Sequence, residues 1–278
     1  MNNFRYGIVK IRLIAIAILA ATTTLAFCQG LGDLVVTPTR VVLGDKLKSA
    51  DIMLLNRSMQ PIRYRLTLVD MEMSEDGLMR RIDAGSSQSA INLLRLSPRE
   101  ILLQPGESQR IKIAAIMPLS LAEGEFRSHL AFEPVSAPKP EETGQATDGG
   151  VTLKFQIRSV VTIPIVVRHG HVAATASISD ATFGTDTTGQ FVRFTLHRAG
   201  NRSIRGDVDA VFKPTSGKAI PIGKIAGLPV YCPNEDRIVT VRLTQSISSL
   251  GKGVIEVSFT EPDQSRSNVA AKATIGIP

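Results

Sequence analysis

Residues Val151 to Val167, VTLKFQIRSVVTIPIVV, constrain the fold more than any other stretch of this chain. The odd positions are apolar almost throughout: Val151, Leu153, Phe155, Ile157, Val161, Ile163, Ile165 and Val167, with Ser159 breaking the row. From Thr152 to Arg158 the even positions are polar, the alternation of a half-buried strand. At about 3.3 Å per residue the stretch would reach roughly 56 Å, whereas an ordinary strand stops at about ten residues. One end therefore serves the chain's own core, and the other presents Leu153, Phe155 and Ile157 to something else.

The readable elements beyond residue 30 are also strands. Ile62, Tyr64, Leu66 and Leu68 alternate with Arg63, Arg65, Thr67 and Val69, and Ile111, Ile113 and Ala115 follow the same rule. In the second half Val192, Phe194 and Leu196 alternate, as do Ile255, Val257 and Phe259. Pro105-Gly106 within QPGES reads as the end of one strand and the start of a hairpin. MPLSLAEGEF has room for a single helical turn, and no segment carries a sustained 3.6-residue pattern. Short strands punctuated by Gly, Pro and Asn predict an all-β chain of two sandwiches.

The N-terminus predicts export. Arg5, Lys10 and Arg12 precede the apolar run Leu13 to Phe27, and small residues follow towards a cleavage point near Ala26 to Gln29. Residues 1–28 are thus expected to be a signal peptide and to leave no stable membrane insertion. If cleavage follows Cys28, only Cys232 remains and no intrachain disulfide can form. The N-terminal domain is expected over 29–169 and the C-terminal one over 170–278. Within the first, 136–150 (SAPKPEETGQATDGG) reads as a mobile loop and 151–167 as the long strand. The domain junction falls at Arg168 to His171.

The formal charge is +7, of which Arg5, Lys10 and Arg12 supply three, leaving +4 on the exported part. No basic run with interleaved aromatics exists, which argues against nucleic-acid binding. His169 and His171 would share a strand face, but a third ligand is missing nearby, so no metal is expected. No GxSxG elbow is present and Cys232 has no histidine near it in sequence, so neither an enzyme nor a cofactor is expected. Arg40 in VTPTRVVLGD is different. On a strand backed by Val41, Val42 and Leu43 it reads either as an outward edge-strand arginine or as a partly desolvated cation awaiting a carboxylate.

The motifs VTPTRVVLGD, LNRSMQPIRYRL, LSPREILLQPGESQRIKI, LAEGEFRSHLAF, IPIVVRHG and HRAGNRSIRGD occur in an order that resembles PapD-like periplasmic chaperones of chaperone–usher pilus assembly. The last two are more similar to the branch found with spore-coat-protein-U-type pili. The resemblance covers about residues 32 to 260. It implies two immunoglobulin-like domains set as a boomerang, and a chaperone that caps pilus subunits by donor-strand complementation before passing them to an outer-membrane usher. The donated residues map onto Leu153, Phe155 and Ile157, with Val151 as an extension. The family's arginine anchor for the subunit's C-terminal carboxylate maps onto Arg40, and its lysine falls on Thr162, which carries no charge. Either Arg158, on the same strand face, replaces that lysine, or Thr162 hydrogen-bonds the carboxylate while Arg40 supplies the charge. The exposed strand also allows free copies to self-associate. The competing reading, a secreted adhesive or structural sandwich protein, has no use for a spare alternating face.

Overall fold

Alternation sets the layers. The computed structural model describes residues 34–83, 85–135, 159–247, 250–262 and 270–277, and from Leu34 onward they form one compact unit. The first ten strands are β1 (Leu34–Thr37), β2 (Val41–Gly44), β3 (Ser49–Asn56), β4 (Ile62–Met73), β5 (Met79–Ile82), β6 (Leu94–Ser97), β7 (Glu100–Leu103), β8 (Ser108–Ala115), β9 (Gly124–Val135) and β10 (Val161–His169). They build one sheet in the order β1-β3-β8-β6 and a second in the order β2-β10-β9-β4, with β5 and β7 both on the far edge of β4. Ile52, Leu54, Ile111 and Ile113 from the first sheet meet Leu130, Phe132, Ile163 and Ile165 from the second in a single apolar core.

The remaining strands are β11 (Ala174–Asp186), β12 (Gly189–Gly200), β13 (Ile204–Pro214), β14 (Ile220–Val230), β15 (Asp236–Arg242), β16 (Gly253–Thr260) and β17 (Ala270–Ile277). They make a second sandwich from sheets β11-β12-β15 and β14-β13-β16-β17. Val192, Phe194 and Leu196 on one sheet pack against Phe212, Ile255, Val257 and Phe259 on the other, all of them fully buried. The all-β, two-sandwich expectation is therefore met. No described helix is long and apolar enough to cross a membrane.

Three local readings change. Pro105-Gly106 does not close a hairpin: β7 pairs with β4 while β8 pairs with β3 and β6, so the turn carries the chain between sheets. MPLSLAEGEF holds a hydrogen-bonded turn, Leu121 N–H to Pro118 O at 3.0 Å, and no helix; a 3-10 turn lies instead at Ile91–Leu93. Arg40 lies between strands rather than within one, because β1 and β2 belong to opposite sheets and the chain crosses over at Thr37 to Arg40.

Two features join the sandwiches. The β4–β5 hairpin leaves the first sandwich and inserts Met73, 2% exposed, into the core of the second. There Asn234 Nδ2 donates to Met73 O at 2.7 Å and Ile238 N–H to Glu75 O at 2.7 Å. Between β10 and β11, Gly170 turns the chain at φ +67°, where a Cβ would collide with the Glu123 side chain. Asp45 accepts the Gly170 N–H at 3.2 Å and lies 3.1 Å from His169 Nδ1, contacts that hold its carboxyl below the usual range.

Candidate functional site

β10 sits between β9 and β2, antiparallel to the first and parallel to the second. Its odd residues Ile163, Ile165 and Val167 enter the home core, so its even residues face outward. Register aligns Thr162, Pro164, Val166 and Arg168 with Ala131, His129, Arg127 and Glu125 of β9. An outward row on a sandwich is ordinarily wet, yet Glu125, Arg127, His129, Ala131 and Val166 are buried. Tyr231 and Cys232 of the second sandwich cover part of it. The Arg127 guanidinium lies 4.2 Å from the Tyr231 ring centroid and donates through Nη2 to Met71 O at 3.1 Å and Cys232 O at 3.4 Å.

The charges in this row are incompletely paired. Arg168 Nε donates to Glu125 Oε2 at 2.9 Å, while the other oxygen of Glu125, a residue whose side chain is 1% exposed, is buried without a hydrogen-bond partner among the described residues. The same holds for Arg127 Nε and Nη1 and for His129 Nδ1. Burial, then the neighbouring Arg127 charge, pushes the His129 pKa down to about 4, against the opposing pull of Asp70. His129 is thus neutral at physiological pH. Burial also raises the Tyr231 phenol and the Cys232 thiol.

Arg40 reaches this row from the crossover before β2. Val41 aligns with Ile165, so Arg40 falls beside Pro164, and Thr162 lies two residues further along the same face. That offset is about 7 Å along the strand and about 5 Å across it. Thr162 is exposed and Arg40 half-buried, with Arg40 Nε buried and without a hydrogen-bond partner among the described residues. Burial, followed by repulsion from Arg168, lowers the Arg40 pKa; Glu125 and Tyr231 act the other way, and Arg205 adds a further repulsion. Arg40 and Arg168 therefore share the field of one buried carboxylate, Glu125. Such a place favours a second anion.

Of the site residues expected from sequence, Arg40 and Thr162 are brought onto one face. Val151, Leu153, Phe155, Ile157 and Arg158 lie outside the described residues. Sequence reasoning missed Glu125, Arg127 and His129 as individuals. Their alternation with Phe126, Ser128 and Leu130 looks like a solvated strand face until a second sandwich is laid over it. The usable signal was charge density: Glu125, Arg127 and His129 at period two, on a strand whose other face sends Phe126 and Leu130 into the core.

No family model and no curated protein sequence matches the chain. Among solved structures, the YadV chaperone is 16% identical, with 88% of this chain and 100% of that chain covered and a TM-score of 0.45. A chain of the CsuC–CsuE chaperone–tip adhesion subunit pre-assembly complex, from archaic chaperone–usher Csu pili of Acinetobacter baumannii, is 12% identical over 86% of this chain and 98% of that one, TM-score 0.46. A chain of the Salmonella enterica SafA pilin–SafB chaperone complex is 14% identical over 86% and 96%, TM-score 0.42. Over most of its length the chain is similar to fimbrial chaperones.

Proposed function

We propose that this protein is a periplasmic, non-enzymatic chaperone of pilus assembly, which caps a pilus subunit by lending it a strand and then yields it to an outer-membrane usher. The observation that carries the reading is Arg40. Its guanidinium is partly desolvated, repelled by Arg168 and left with an Nε unpartnered among the described residues, beside a strand whose sequence continues its alternation upstream. A resting protein gains no stability from such a cation; a bound carboxylate would pair with it in the bidentate way guanidinium allows. The C-terminal carboxylate of a subunit is the anion that a strand lent alongside β10 would bring there. Leu153, Phe155 and Ile157, with Val151, would fill the open groove of the subunit, each contributing roughly 1.5–3 kcal/mol on burial. Thr162, exposed on the same face, would donate a hydrogen bond to that carboxylate, and Arg158 stays the alternative source of charge.

The test is subunit capture by an Arg40→Ala variant. Its affinity for a co-expressed pilus subunit should fall at least about tenfold, as expected for a lost charge-assisted pair, with the fold intact. Normal subunit capture and pilus assembly by that variant would overturn the anchor.

A further inference from the structure

The second sandwich carries, on the outer face of its three-stranded sheet, a cluster that subunit capture does not use. Ala176 and Ile178 of β11 and Leu196 of β12 pack into the core, so Ser177, Ser179 and His197 point the other way. His197 stands between two register partners, Ser177 on β11 and Asp236 on β15, while Ser179 pairs with Thr195. Ser179 and His197 are therefore diagonal neighbours on one face, within reach of a ring side chain. A bulge follows at once: the register shifts between Ser179 and Thr182, and Asp180 stands at φ +52°. Bulges re-aim side chains, and here the bulge brings a carboxylate back over the serine.

The His197 ring is held at both nitrogens. Its Nδ1 lies 2.7 Å from Asp236 Oδ1, and its Nε2 lies 2.7 Å from Ser179 Oγ. A carboxylate only accepts, so in the neutral ring Nδ1 carries the proton and Nε2 turns its lone pair to the hydroxyl. Ser179 Oγ also lies 2.6 Å from Asp180 Oδ2, so two bases flank one hydroxyl proton. Of the two, an imidazole is by nature the stronger base. The His197 and Asp236 side chains are 35% and 53% exposed and Ser179 is half-buried, which leaves the cluster open to a small reactant. A hydroxyl against a base that a third group orients is the arrangement of an activated nucleophile. The three residues come from three different strands, so no local motif marks them.

We propose that Ser179 is a nucleophile that takes an acyl group from an activated ester or thioester. Oγ forms a bond to the carbonyl carbon, and the bond from that carbon to the leaving oxygen or sulfur breaks, its electron pair going with the leaving group. The Oγ proton passes to His197 Nε2 and from there to the leaving group. The product is an ester on Ser179, so the chain is the acceptor of a single transfer and not a catalyst. Asp236 is a positioning residue that fixes the tautomer of His197. The site lies on the second sandwich and is independent of Arg40 and of subunit capture.

The test treats the purified chain with p-nitrophenyl acetate, follows release of p-nitrophenolate, and maps the acetyl group by peptide mass spectrometry. One equivalent should be released per chain, with the acetyl group on Ser179, and Ser179→Ala should lose both. His197→Gln should slow the reaction about 100-fold, the lower end of what a positioned base contributes. Asp236→Asn should slow it about tenfold or more, because an amide there donates to Nδ1 and forces the proton onto Nε2. Asp236→Glu should restore most of the rate, a recovery that a purely structural role would not give at equal melting temperature. Acetyl groups found on lysines and not on Ser179, or an unchanged rate in His197→Gln or Asp236→Asn, would each overturn the proposal. Release continuing past one equivalent would overturn the acceptor role.

Discussion

Replacing Arg40 by methionine keeps most of the side-chain volume and removes only the charge and its donors. Arg40 Nε is buried without a partner among the described residues, and a buried unsatisfied donor costs about 1–3 kcal/mol. Removing the charge also relieves repulsion from Arg168 and Arg205, against the loss of attraction to Glu125, which Arg168 already engages at 2.9 Å. The balance favours the variant: Arg40→Met should be as stable as the native protein or about 1 kcal/mol more stable. For a chain of this size that is roughly 2–4 °C in Tm. Urea unfolding and calorimetry on the chain from residue 29 read it directly, and the same preparation should lose subunit affinity about tenfold or more. A gain in stability with a loss of capture is the signature of a cation kept for a ligand. If Arg40→Met instead lost more than about 1 kcal/mol, the arginine would be a structural brace and the anchor reasoning would fail.

The remaining predictions concern the same region. Because the folded-state pKa of His129 lies near 4, below its ordinary value of about 6.5, the unfolded chain binds the extra proton first as pH falls. Its contribution is full above pH 6.5 and is lost between about 6.5 and 4, amounting to roughly 3 kcal/mol; His129→Gln should flatten that part of the stability-against-pH curve, and an unchanged slope would refute it. Met73→Ala should cost about 2–5 kcal/mol, because it empties a site in the second core, and calorimetry should then show the two sandwiches melting less cooperatively. Glu125→Gln removes the counter-charge of Arg168 and should cost about 3–5 kcal/mol, a loss reduced when Arg40→Met is added. Simple additivity of those two changes would show that Arg40 and Glu125 do not share a field.

The two cores were legible because their residues alternate cleanly. Val192, Phe194 and Leu196, Ile255, Val257 and Phe259, and Ile163, Ile165 and Val167 all point inward as their period demands. Pairing partners were not legible. Alternation tells which face of a strand is apolar but not which sheet it joins, so QPGES read as a hairpin when it bridges two sheets. Met73 shows the same limit at long range, since nothing local says that the end of β4 belongs to another core. At the candidate site, Arg40 stood out as a cation beside apolar neighbours, whereas Glu125, Arg127 and His129 resembled an ordinary wet face. What buries them is Tyr231 and Cys232, a hundred residues away in sequence.

The central claim is that the stretch before β10 is lent to a subunit, and capture by a strand variant tests it most directly. Phe155→Asp with Ile157→Asp should leave the melting temperature of the chain unchanged and abolish co-purification of a co-expressed pilus subunit. Each aspartate would place a charge in an apolar groove at a cost of several kcal/mol. Undiminished co-purification by a folded variant would contradict the account.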